Sequence, residues 1–410
     1  MAITIESLKV VSYLKTEHLG DGRTVKLMPL WDGTNWRMWV DTPVGLIEGK
    51  MMDTIEGDYV GVGAAKESDL FIPFVHLMWQ RASWPEVCPL ISAISDDFHN
   101  MGTSLAKLKH FFHSQRTLPP RSASRFAYTE LEYLVMLTRA VFDLLQEMIS
   151  LLWANHVQLL DQQAESRRRS RKLPTTFSRL VLRDKQDPRN AAEIETEFGL
   201  PKPLAEEYAG ITSFFSQLRD LRDAVVHGGT GVGEIYVTEQ GFCINPKHRP
   251  FSSFDGWRPE HYYNENIASV LPWIANVILR TIQTCNGLVT AFGKVIQLSP
   301  EIAPGYLVYV RGPHTDALVE VLKVHSGDHL GGPPPLRQLK LIRSRRTNAP
   351  DDEFRLCREI RGGMIPSSRK SGASGEIRTL KHLLLRQAAI PIRTRWHLVH
   401  REGFEPPRPI

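Results

Sequence analysis

The sequence predicts a mainly α-helical protein with long helices, preceded by a small antiparallel β-rich domain and followed by a disordered tail. Three observations predict this order. Residues 3–62 alternate short apolar runs with turn residues, apolar residues then recur at helical spacing over roughly 64–300, and basic residues collect beyond 331. With 410 residues, 42% of them apolar, the chain is long enough to fill a sizeable core.

The N-terminal region, residues 1–62, has the pattern of a small sheet. Trp36, Met38 and Val40 alternate at period two directly after the turn signal Asp32-Gly33, as in a hairpin strand with one buried face. The tryptophans of this region, with Trp31 and Trp39 beside Trp36, either form the core of the sheet or make an aromatic platform on which bases stack.

Residues 63–325 form the predicted helical domain. The periodicity predicts helices over 71–82 and 87–113, broken at Pro85, and one long helix or two nearly collinear ones over 124–165. Further on, it predicts short helices over 176–182 and 191–198, a long helix after Pro201, a β-hairpin insertion near 234–244, a helix over 266–295, a strand over 306–310 and a short helix over 315–324.

Two clusters in this domain each have two interpretations. His110 and His113, three residues apart on one helix, either share a metal or are solvated or capping side chains, and no third ligand lies nearby in sequence. The basic run 167–172 either binds phosphates or is a solvated helix end, favourably placed against the negative pole of the helix dipole.

The composition points to the cytoplasm. Neither a signal-peptide pattern nor an apolar run of the ~18–20 residues needed to cross a bilayer is evident, so we expect no membrane association. The four cysteines lie far apart in sequence, which predicts reduced thiols and neither disulfides nor a zinc site. Nothing in the sequence calls for a cofactor.

The net charge of +5 comes entirely from the tail. Residues 331–410 hold 17 Lys/Arg and 7 Asp/Glu, which leaves 33 against 38 for the rest of the chain. We expect a linker over 326–372 and a disordered, non-native segment over 373–410. Glu376-Ile377-Arg378-Thr379 and Gly403-Phe404-Glu405-Pro406 resemble antisense translation of the T-arm of transfer-RNA genes, repeated after about one gene length. The basic excess is therefore weak evidence for nucleic-acid binding.

The helix after Pro201 carries the most informative pattern. Leu204, Tyr208, Ile211, Phe215 and Leu218 form an apolar seam, and the next position of that seam is Arg222. We therefore expect Arg222 to face another helix or a second protomer. Gly228-Gly229 then ends the helix.

Arg222-Asp223-x-x-x-His227 resembles the R-x4–6-H motif of HEPN (higher eukaryotes and prokaryotes nucleotide-binding) domains. The resemblance covers the motif and its helical setting, roughly residues 64–300. It implies a HEPN-like helical bundle, and many active members of this family are metal-independent endoribonucleases in which two motif helices meet across a homodimer. It also implies catalytic roles for Arg222, Asp223 and His227, and a defence or toxin setting.

The chemistry of these residue types fits that implication. RNA cleavage by its own 2′-hydroxyl needs a group of near-neutral pKa to move protons, as His227 has, and a fixed cation for the phosphate, as Arg222 supplies. Asp223 lies four residues before His227 and, on a continuous helix, shares its face. Five residues of ideal helix, however, rotate by about 500°, which leaves Arg222 and His227 about 140° apart. The sequence thus predicts either a ribonuclease or a non-catalytic HEPN-like binding or dimerisation module.

Overall fold

The structure, a computed structural model, describes residues 3–184, 187–226 and 232–326, and about half of these are helical. The helices are α1 Ile5–Leu8, α2 Pro73–Arg81, α3 Cys88–His113, α4 Ser122–Asn155, α5 Gln162–Arg169, α6 Phe177–Val181, α7 Ala191–Phe198, α8 Lys202–Val226, α9 Leu271–Val295 and α10 Thr315–Ser326. The strands are β1 Leu30–Trp31, β2 Trp36–Thr42, β3 Gly45–Met51, β4 Gly57–Gly61, β5 Leu182–Arg183, β6 Asp187–Pro188, β7 Tyr236–Thr238, β8 Gly241–Ile244, β9 Tyr262–Asn264, β10 Ile267–Ser269 and β11 Leu307–Arg311.

The mainly helical prediction is confirmed, and the long apolar stretch over 124–165 proves to be two helices. Helix α4 ends at Asn155, and α5 starts afresh with Asp161, whose side chain accepts a hydrogen bond from the Ala164 amide at 2.6 Å. An aspartate in this position satisfies an amide that has no partner within the helix, so it fixes a helix start that apolar periodicity alone does not reveal.

Part of the basic run holds α5 in place. Glu165 receives hydrogen bonds from Arg168 and Arg169 at 2.8 Å, and the hydrogen bond from Arg168 lowers the pKa of Glu165 to about 2. Arg168 also donates to the carbonyl of Trp153 at the end of α4. These contacts give Arg168 and Arg169 a structural role, which weakens the interpretation of the run as a phosphate-binding surface.

The N-terminal sheet has five strands in the order β11-β4-β1-β2-β3. Its ladders are antiparallel except that β1 runs parallel to β4, with Leu30 opposite Val60. Strand β11 comes from the far end of the described chain, so the sheet is completed by residues that lie beyond 62 in sequence.

The tryptophans of the sheet confirm the core interpretation. Trp39 is buried in the main hydrophobic core, which extends continuously from Leu8 to Leu322. Trp36 is buried on the opposite face, in a small cluster with three other residues, and Trp31 lies half-buried against it with ring centroids 5.1 Å apart. Because one core runs through both the sheet and the helices, the expected boundary at residue 62 does not separate two cores.

The hairpin near 234–244 is present and is larger than predicted. Strands β7 and β8 continue into β10 and β9, giving a four-stranded sheet in the order β7-β8-β10-β9. The predicted helix over 266–295 is wrong at its start, since Ile267–Ser269 is strand and α9 begins at Leu271. The Asn264 side chain explains the turn between β9 and β10, because its Oδ1 accepts hydrogen bonds from the backbone amides of Asn266 and Ile267.

The predictions on membrane spans, metal ligands and cysteines can be compared with the described residues. Within these residues, none of the helices is long and apolar enough to cross a membrane, and no group of His, Cys, Asp and Glu is arranged to hold a metal. His110 and His113 are both exposed. Cys88, Cys243 and Cys285 are free thiols. The linker and tail predictions fall mostly on 327–410, which lies outside the described residues.

Candidate functional site

The candidate site lies at the C-terminal end of α8, a helix fixed along its length by the core. Pro201 precedes the helix and Pro203 lies in its first turn, where a missing amide proton costs nothing. The helix packs against α4, α7 and α9. Tyr208 is fully buried, and its hydroxyl donates to Gln146 of α4 at 2.9 Å. The helix is thus packed into the core from Leu204 to Leu221, and its last turn lies beyond the core.

The apolar seam of α8 ends at Leu221. Leu218 and Leu221 are buried, whereas the side chain of Arg222 is 40% exposed. After Leu218, the next buried residue of the seam is therefore Leu221, three positions on, and not Arg222, four positions on. The described helices of the chain leave this part of the Arg222 side chain open to solvent, so the expected neighbouring helix does not bury it. Contact with a second protomer stays a prediction.

Arg222 and Asp223 form an ion pair although they are adjacent in sequence. Arg222 Nη1 donates to Asp223 Oδ1 at 2.8 Å, and Arg219 Nε lies 3.6 Å from Asp223 Oδ2. The carboxylate of Asp223, whose side chain is 36% exposed, thus lies between two guanidinium groups. A guanidinium carries five N–H donors, and Asp223 is the hydrogen-bond partner of Arg222 among the described residues.

The position of Asp223 is unusual for a helix. The C-terminal turn of a helix carries a partial negative charge, which favours cations and disfavours carboxylates. Asp223 lies in this turn of α8, and the two arginines offset the unfavourable interaction. A residue placed against a local rule is expected more often at functional sites than elsewhere.

The third sequence-predicted residue, His227, lies outside the described residues, directly after the last described residue of α8. The structure therefore places Arg222 and Asp223 together and gives no position for the imidazole. Whether the expected 140° separation of Arg222 and His227 is closed stays a prediction.

Two arginines near α8 were not identified from the sequence. The guanidinium of Arg139, on α4, lies 4.5 Å from the ring centre of Phe215, and that of Arg280, on α9, lies 4.3 Å from the ring centre of Phe214. Each cation covers an aromatic face of α8. An arginine within the apolar periodicity of α9 is the signal that would have identified Arg280.

Arg280 also lines an open groove of about 290 Å³ between α8 and α9. Glu206 and Glu207 line the same groove, and burial raises the pKa of Glu207. The two carboxylates disfavour a phosphodiester there. The groove consequently adds no RNA-binding surface to the helix end.

An apolar cavity between α2, α4 and α9 does not compete as a site. Its volume of about 50 Å³ is enough for little more than a water molecule or two. Its charged and imidazole groups already have partners. His156 lies 2.6 Å from Glu86 and stacks on Trp84, and Arg81 pairs with Glu301.

The described part of the chain is thus a mainly helical protein with a mixed sheet at its N-terminal side and an accessible Arg-Asp pair at the end of a buried helix. Comparison with models of protein families, with curated proteins and with solved structures finds no match.

Proposed function

We propose that the protein is a HEPN-like, metal-independent endoribonuclease that cleaves RNA by attack of its own 2′-hydroxyl. Arg222 binds the phosphate and stabilises the negative charge that grows on its oxygens in the transition state. His227 moves the protons, taking one from the 2′-oxygen or giving one to the departing 5′-oxygen. The products are a 2′,3′-cyclic phosphate and a 5′-hydroxyl. The defence or toxin setting rests on the family resemblance alone.

The observation that supports this proposal is the accessibility of Arg222. Its side chain reaches solvent from the end of a helix that is otherwise held in the core, and one of its five N–H donors bonds to Asp223. Within the described residues no other hydrogen bond of Arg222 is recorded, so its guanidinium has donors with which to bind a phosphate.

Asp223 has a second role in this proposal. Its carboxylate is held by Arg222 at 2.8 Å and faces Arg219 at 3.6 Å, so its orientation is restricted. On a continuous helix it lies one turn before His227, and a carboxylate there would orient the imidazole and favour its protonated form.

A homodimer through the motif helix is part of the same proposal. The seam places Arg222 next to the buried Leu221, and Val226, at the end of the helix, exposes about half of its side chain. A second copy that covers this end would bring two arginines and two histidines into one cleft. It would also exclude water, which strengthens the contacts to the phosphate.

The test is cleavage of labelled RNA in EDTA by the wild-type protein and by His227→Ala and Arg222→Ala. We expect the wild type to cleave and each variant to lose at least about a hundredfold in rate, the usual size of an acid–base or charge-stabilisation contribution. Replacement of Arg116, an exposed arginine in the loop between α3 and α4, by alanine is the matched control and should leave the rate unchanged.

Two further outcomes would contradict the proposal. One is cleavage that requires magnesium or persists in both variants, since this would assign the activity to another site or to a contaminant. The other is cleavage of a substrate whose 2′-hydroxyls are replaced by hydrogen, because the proposed nucleophile would be missing. If the wild type binds RNA or itself without cleaving, the alternative of a non-catalytic binding or dimerisation module is favoured.

A further inference from the structure

The outer strand of the N-terminal sheet has one free edge. Strand β3, Gly45–Met51, pairs with β2 and ends the strand order, and within the described residues its backbone makes no ladder on the other side. Such an edge presents alternate N–H and C=O groups that can pair with a further strand. With seven residues, the strand is long enough to pair with a further strand.

Of the two charged side chains on β3, Glu48 is paired inside the chain and Lys50 lies beside a like charge. Lys50 lies directly opposite Arg37 of β2, and like charges in facing positions of an antiparallel pair are unfavourable. Glu48 lies diagonally from Arg37 and accepts a hydrogen bond from its Nε at 2.5 Å. Strand β3 thus carries one negative and one positive charge two residues apart on the same face, with Gly49 between them.

Exposed apolar side chains flank the same strand. Ile47 lies within it and is about half exposed, and Met52, directly after it, is 100% exposed. Val44, in the turn before it, is 88% exposed, and Ile55 follows close behind. Single exposed apolar residues are ordinary on a protein surface, so these residues are compatible with a contact at this edge and do not by themselves establish one.

We propose that β3 pairs antiparallel with β3 of a second copy of this chain, about a two-fold axis at Gly49. In this register Glu48 of each copy faces Lys50 of the other, so both lysines gain a carboxylate partner. Leu46 faces Met52 of the second copy, and Ile47 faces Met51. The two five-stranded sheets become one sheet of ten strands, and the free edge is removed.

The self-complementary order of the charges selects this partner. A lysine on an edge strand usually prevents pairing with other strands, because a neighbouring strand would bury its charge. Here the same lysine meets Glu48 when the incoming strand is a second copy in this register. The glycine at the axis adds no side chain between the two backbones. The surface is separate from the end of α8, so this inference does not depend on the ribonuclease proposal.

A cysteine at Gly49 tests the register directly. A Cβ built on Gly49 meets one side-chain atom, Met38 Cγ at 3.8 Å, so the substitution Gly49→Cys fits the fold. At the two-fold axis the two new Cβ atoms face each other within the roughly 4.5–5.5 Å of a cross-strand pair, near the range that a disulfide bridges. We expect a covalent dimer on mild oxidation, read on a non-reducing denaturing gel.

Met52→Cys is the matched control for this cross-link. Met52 is fully exposed, so its thiol is at least as reactive, but in the proposed register the two copies of residue 52 lie roughly 20 Å apart, at about 3.4 Å per residue. It should cross-link at least tenfold more slowly than Gly49→Cys. Equal rates for the two variants, or no cross-link at Gly49→Cys with the fold intact by circular dichroism, would overturn the proposal.

Charge exchange tests the same contact without a covalent bond. Glu48→Lys and Lys50→Glu each place like charges opposite each other in a homodimer, so each variant alone should lose the association of this edge in sedimentation velocity at low salt. Mixed together, the two variants should associate, because every facing pair is then of opposite charge. If the mixture associates no better than the separate variants, the two copies do not meet in this register.

Discussion

Two arginine–aspartate pairs in this protein join the same side chains in opposite surroundings. Arg311, on β11, and Asp69, in the loop between β4 and α2, are buried beside each other, with 3% and 1% of their side chains exposed. Arg222 and Asp223 lie at the end of α8, with 40% and 36% exposed. The first guanidinium binds its carboxylate through two nitrogens, at 2.8 and 2.7 Å, and the second through one.

The surroundings decide what each arginine can do. Arg311 also donates to Asp53 at 2.6 Å and to the carbonyl of Thr54 at 3.1 Å, and its guanidinium lies 4.7 Å from the ring centre of Trp36. Asp69 accepts a further hydrogen bond from the Tyr59 hydroxyl at 2.7 Å. Nearly all donors of Arg311 are therefore used inside the protein. Among the described residues Arg222 bonds to Asp223 alone, so Arg311 is a structural arginine and Arg222 a candidate functional one.

The largest effect is expected where the buried pair is broken. Arg311→Ala leaves Asp69 as an uncompensated buried charge, so the free energy of unfolding should fall by about 3–5 kcal/mol. Urea unfolding followed by circular dichroism measures this loss. The variant Arg311→Ala with Asp69→Ala removes both charges and should lose less than the sum of the two single variants. Additive losses would mean that the two side chains do not interact as described.

Asp97, on α3, is a half-buried acid for which no ion pair is recorded among the described residues. Its Oδ2 atom is buried and has no hydrogen-bond partner among the described residues. Burial, helped by the negative charge of Asp96, raises the pKa of Asp97 from 3.8 to about 7. Between these two values the unfolded chain carries the charge while the folded chain keeps the proton. The contribution of Asp97 to stability therefore falls as the pH rises from about 4 to about 7, and is constant above that.

Asp97→Asn should remove this pH dependence. The variant is expected to match the wild type near pH 4 and to gain stability relative to it up to pH 7, by at most about 4 kcal/mol at about 1.36 kcal/mol for each pKa unit. Urea unfolding at a series of pH values measures the difference. Asp96→Asn, one residue away and exposed, is the control and should show a smaller change. A constant difference across the pH range would show that Asp97 titrates normally.

The helical part of the fold could be predicted because it depends on local patterns. Apolar spacing gave α3 to within one residue of both ends, and proline placed the start of α8. The sheet could be predicted only in part. Strand β11 joins β4 across some 250 residues of sequence, and the parallel contact of β1 with β4 has no local signal. Such pairings depend on how the whole chain packs.

The candidate site could likewise be predicted where it depends on local sequence and not where it depends on packing. The sequence identified Arg222 and Asp223 as neighbours, and the structure adds their ion pair and the second arginine, Arg219. The seam predicted that Arg222 occupies an apolar position, but Leu221 fills it, because a helix of 3.6 residues per turn can continue a buried face by three residues or by four. Which step is used depends on the neighbouring helices, so this detail is not readable from α8 alone.

The smallest effect on stability is expected at the exposed pair. Arg222→Ala removes one partly solvated ion pair, whose contribution is about 0–1 kcal/mol, so the urea midpoint should hardly change. The same holds for Asp223→Ala, which also frees the end of α8 from a carboxylate in an unfavourable position. A loss of several kcal/mol that is independent of protein concentration would assign Arg222 a structural role like that of Arg311. A loss that grows as the protein is concentrated would instead place Arg222 in the contact between two copies, since association then stabilises the wild type more than the variant.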